Sequence, residues 1–138
     1  MKAGVALPIV LLMLALTSAL VVGGAFVTRQ QVVMIRDRSR GDYLEGEAEQ
    51  AVIQAIASWD SAGWANQAVG SALQLPSRAV MTVRTDSWIT RLGPRTYWVV
   101  AESQSDARPS LRRRLGLLVR VDSGTPAPVP ERPWSELP

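Results

Sequence analysis

The chain has 138 residues, 47% of them hydrophobic, with fifteen basic and twelve acidic side chains for a net charge of +3, and it contains neither Cys nor His. That inventory excludes disulfides, thiol nucleophiles, imidazole bases and the usual zinc and haem ligands, and leaves any catalysis to carboxylates, hydroxyls or amines. These assemble into no nucleophile–base pair, phosphate loop or metal cluster, so no catalytic residue, cofactor or metal site is expected. Outside a hydrophobic segment the length leaves room for one small domain with a modest core, and a small excess of Arg does not by itself imply nucleic-acid binding.

The first element is apolar. From Val5 to Val27 no side chain is charged, and about 23 residues at 1.5 Å rise span roughly 34 Å, enough to cross a hydrocarbon core. Pro8 falls in the first turn, where its missing N–H costs no helical bond. Gly23 and Gly24 are a soft point near the far end, each worth roughly 1 kcal/mol relative to alanine.

The helical pattern continues beyond the apolar run. Leu44, Ala48, Ala51, Val52, Ala55, Ile56 and Trp59 recur at spacings of three and four, which places them on one face. Between the two halves, residues 29–40 are Arg-rich but include Val32, Val33 and Ile35 and no proline. The spacing predicts one helix from about Val5 to Trp59, transmembrane over 5–28 and amphipathic over 29–60. On the order of 80 Å long, it exceeds what a small domain needs for its own core. Glu45, Glu47 and Glu49 are close in sequence, but alternate helical residues point about 200° apart, so they form a solvated face and no metal site.

After Trp59 the composition is that of a loop with a short helical turn, marked by Gly63, Gly70 and Pro76. Strand signals follow at Ala79–Thr85, Ser87–Leu92, Arg95–Ser103 and Leu111–Val121, with turns at Gly93-Pro94 and Gln104–Pro109. In the last strand Leu111, Leu115, Leu117, Val119 and Val121 share a face with Arg113, and Arg112, Arg114, Leu118 and Arg120 share the other. The expected fold class is α+β, with an antiparallel β head over 61–122 packed on the C-terminal half of the helix. The tail over 123–138 is too proline-rich for helix or sheet. Trp59, Trp64, Trp88 and Trp98 are expected in helix–sheet packing, whereas Trp134 has no obvious core and is a candidate for docking on a neighbouring subunit.

Arg112, Arg114 and Arg120 form a candidate basic surface patch of the kind that binds phosphate. A solvated strand face that protects the sheet is the stronger reading, and nucleic acid the less favoured partner.

Three features together carry a resemblance: the short basic start Met1-Lys2-Ala3-Gly4 before VALPIVLLMLAL, the segment from Tyr43 to Val52 (YLEGEAEQAV), and YWVVAES followed by SLRRRLGLLVRV. This organisation resembles the type IV pilin superfamily, and within it the minor pilins of the PilX type, related to the K pseudopilin of type II secretion. The resemblance implies a prepilin leader over 1–4, cleavage by a prepilin peptidase between Gly4 and Val5, and N-methylation of Val5. It implies residence in the bacterial inner membrane with a periplasmic head, then a place in a cell-surface filament beside other pilin subunits. In most pilins the fifth mature residue is a Glu that pairs with a neighbour's N-terminal amine; here Ile9 follows Pro8 at that point. Pro8 and Ile9 therefore read as defining a tip or priming subunit, where no subunit above requires the pair.

Two other readings stay open. Met-Lys before an apolar run also begins a secretory signal peptide, with Gly23-Gly24-Ala25 as a small-residue cut. A plain single-pass envelope anchor with a small β-rich binding head fits too. Arg29, Arg36, Arg38 and Arg40 outnumber Lys2, and the positive-inside rule alone would put the head in the cytoplasm.

Overall fold

The computed structural model describes residues 6–60, 63–64, 66–131 and 134–137, and the chain divides into two compact units, Met1–Ser39 and Arg40–Pro138. Helix α1 (Ala6–Ala57) runs through Gly23 and Gly24 without a break. With seven strands after it, the protein has the expected α+β class.

Within the second unit, α1 buries the stripe anticipated from its spacing. Leu44, Ala48, Val52 and Ala55 are at most 3% exposed, with Ala51, Ile56 and Trp59 partly buried beside them. Three long strands receive that stripe: β3 (Val83–Arg91), β4 (Thr96–Ser105) and β5 (Arg112–Asp122). They pair antiparallel, and Ile89, Val99 and Leu117 lie side by side in register as the apolar centre of the inward face. Burial of each such side chain contributes about 1.5–3 kcal/mol. Trp59 closes one end of this core, meeting Trp64 edge-on at 4.2 Å and Tyr97 at 5.0 Å between ring centroids.

Four short strands cover the two edges. β1 (Ala72–Gln74) and β2 (Arg78–Val80) pair with successive parts of β3. Between them Pro76 and Ser77 bulge outward after Leu75 N–H donates to Ser87 O at 2.9 Å. On the opposite edge β6 (Thr125–Pro128) and β7 (Ser135–Leu137) pair with successive parts of β5.

Three expectations need correction. The tail is not outside the sheet: residues 125–128 turn back as a hairpin on β5, through Ser123 and Gly124 at φ 55° and 85°. Two successive positive φ values are what a two-residue hairpin with the native twist requires. The sheet tolerates Pro126 and Pro128 because β6 is an edge strand. The strand expected over Ala79–Thr85 is split by a turn at Met81, whose φ is 53°, and β3 instead runs unbroken past Asp86. Trp88 and Trp98 are not part of the helix–sheet packing: their neighbours Ile89, Tyr97 and Val99 are the buried ones, and alternation puts both tryptophans on the outer face.

Candidate assembly surface

Within the first unit the helix is apolar and exposed on every side over residues 7–27. Leu7, Leu11, Leu14, Val21 and Phe26 are each 60–71% exposed, so no face of this segment is covered by the chain itself. It is the one helix among the described residues long and apolar enough to cross a membrane. Its few hydroxyls are turned back on the helix: Thr17 Oγ1 donates to Met13 O at 3.0 Å, Ser18 Oγ to Leu14 O at 2.8 Å, and Thr28 Oγ1 to Gly24 O at 2.9 Å. Such groups enter hydrocarbon or a packed helix core without an unpaired donor. Pro8 and Ile9 lie in the first described turns of α1, with Ile9 51% exposed. Gly4 and Val5, the expected cleavage and methylation positions, lie outside the described residues.

The arginines of the candidate basic patch share a face and are partly compensated by acids beside them. Arg112, Arg114 and Arg120 share the outer face of β5, as alternation requires, but Gly116 and Leu118 separate the first two from the third. Arg114 Nη2 lies 2.6 Å and Arg112 Nη1 3.5 Å from the Glu102 carboxylate, whose side chain is 15% exposed. Arg120 faces Asp122 at 3.6 Å. Arg113, on the inward face, reaches toward Glu136 at 3.9 Å and lies over buried Gly41 of the helix. These pairs tie the arginines to the sheet's own structure, although one carboxylate serves two of them at Glu102 and again at Asp122, which Arg120 shares with Arg95.

Trp134, expected to lack a core, lines an apolar groove of about 390 Å³ with Ile53, Ile56, Leu117, Pro128, Val129 and Pro130. It is 37% exposed, so the groove is partly open.

A second hollow was not foreseen. Ala51, Gln54, Ala55 and Ser58 of α1 face Leu75, Pro76, Ser77, Arg78 and Ala79 across a cleft of about 530 Å³, floored by Thr85 and Ser87. The inward face of the sheet turns polar here. Thr85 and Ser103 are 3% and 0% exposed and join hydroxyls at 2.9 Å, while Ser87 is 7% exposed. The signal was present in the sequence, since Thr85 and Ser87 have the same parity in β3 as Val83 and Ile89. The Tyr43 phenol is raised above its ordinary value by desolvation and by Glu47, and Arg78 opposes that shift.

No protein family matches the chain, and no curated protein or solved structure does either.

Proposed function

We propose that this chain is a structural, non-enzymatic minor pilin or pseudopilin, of the PilX type, that occupies the tip or priming complex of a type IV pilus-like or type II secretion-like filament. The observation that supports this reading is a division of labour along one helix. Its first part is apolar and exposed on every side, whereas its later part buries a single stripe beneath a small antiparallel sheet. A membrane covers the first part before assembly, and neighbouring pilin helices cover it afterwards, so burial is kept while lipid is replaced by protein. Ile9 supports a terminal position because it offers no carboxylate to a neighbour's amine.

Mass spectrometry of the mature N-terminus tests the reading. A chain beginning at N-methylated Val5 is expected, and its appearance should depend on a prepilin peptidase. Immunogold label should sit at filament ends; label along the whole shaft would overturn the terminal assignment. Ile9→Glu should then allow incorporation along the shaft.

One observation favours a second reading, a single-pass envelope protein. Arg29, Arg36, Arg38 and Arg40 follow the apolar run, and positive residues there favour a cytoplasmic head. An intact Met1, with an active green-fluorescent-protein fusion and an inactive alkaline phosphatase fusion at the C-terminus, would establish it. A start at Phe26 would instead indicate secretion.

A further inference from the structure

The cleft between residues 51–58 of the helix and the β1–β2 edge carries chemistry that the filament reading does not use. Small side chains, Ala51 and Ala55 on one wall and Ala79 on the other, hold the space open. Ser87 is 7% exposed and lines the cleft, so what remains accessible of it faces that space. A hydroxyl placed there can donate to an oxygen of a ligand. Gln54 adds an amide donor in the wall.

Charge narrows the ligand. No Asp or Glu lines the cleft, and Arg78 at its edge makes no ion pair among the described residues. Asp86, between the two floor residues Thr85 and Ser87 in sequence, is already engaged: it accepts from Ser77 and pairs with Arg84 at 3.1 Å. An unpaired guanidinium and a hydroxyl lining one cleft suit a carboxylate, and the aliphatic surfaces of Leu75 and Pro76 suit the short chain that carries it. About 530 Å³, open on one side, accommodates two or three residues of extended peptide.

We infer that this cleft is a binding site for an acidic side chain on a short extended segment of a partner protein. Arg78 and Ser87 receive the carboxylate, and Leu75 and Pro76 flank the segment. The site lies wholly within the second unit. It stands whether or not the chain joins a filament.

The test is an NMR titration of the ¹⁵N-labelled full chain in detergent micelles with acetyl-Ala-Ala-Glu-amide. Saturable shifts are expected at the backbone amides of Gln54, Ser58, Ser77, Arg78 and Ser87. The Gln analogue of the peptide, and the Arg78→Gln variant with the Glu peptide, should each bind about tenfold more weakly. Ser87→Ala should also weaken binding, whereas Arg120→Gln, on the outer face, should leave it unchanged. Equal binding of the Glu and Gln peptides would overturn the proposal, as would shifts that do not saturate or fall elsewhere. Sodium acetate saturating the same amides as tightly as the peptide would show a site for free carboxylates and overturn the peptide assignment.

Discussion

Trp98 lies across Gly116 of the neighbouring strand so closely that a β-carbon on Gly116 would come within 2.8 Å of Trp98 Cζ2 and 3.0 Å of Cε2. The indole covers the middle of the outer face, between Arg112–Arg114 at one end of β5 and Arg120 at the other. Gly116→Val must push the ring off the sheet, an overpacking cost of about 1–3 kcal/mol. Urea denaturation of the full chain in detergent should show it. In a Trp98→Ala background the same change should cost clearly less, giving a measurable coupling between the two sites.

The helix glycines offer a contrast. A β-carbon on Gly46 meets nothing within 4 Å, whereas one on Gly41 comes to 3.2 Å from Arg113 Nη2. Gly46→Ala should therefore stabilise by up to about 1 kcal/mol through helix propensity alone. Gly41→Leu should lower the thermal midpoint, because the larger side chain displaces the Arg113 guanidinium from buried Gly41.

Glu102 is the counter-charge for two arginines at once. Glu102→Gln should reduce stability by about 1 kcal/mol, given that the arginines are partly in water. It should also leave Arg112 and Arg114 without their shared counter-charge and so strengthen the basic patch. On a heparin column the variant should elute at higher salt than wild type; equal elution would show that Glu102 does not neutralise Arg112 and Arg114.

For the exposed apolar helix, Leu14→Arg places a charge in the middle of the run, at roughly 2.5–3.5 kcal/mol against membrane insertion. Carbonate extraction should release that variant from membranes while Leu14→Ala stays in the pellet.

The helix and its buried stripe were legible because a period of three and four residues is carried by seven side chains over four turns. The faces of β5 were legible for the same reason, with a period of two. The assignment of Trp88 and Trp98 was not, since alternation separates two faces without saying which one meets the helix, and bulk suggested the wrong one. The tail escaped because Pro126 and Pro128 read as strand breakers, although a missing N–H costs nothing at an edge facing solvent. Ser87 escaped because the sequence signals two strands, Ala79–Thr85 and Ser87–Leu92, and the break between them hides the parity it shares with Val83 and Ile89 in β3. Gly116 did carry one: a glycine inside an apolar strand marks the close approach of something large.

The four short strands have a further consequence for how this protein can meet others. They occupy both flanks of the three long strands, and β6 carries prolines that cannot donate to an incoming chain. The edges are thereby reduced to strands of three or four residues, too short to template the strand exchange by which long exposed β edges fuse. The long strands of this protein are thus out of reach of an incoming chain, and the apolar surface it offers to others lies along one bare stem.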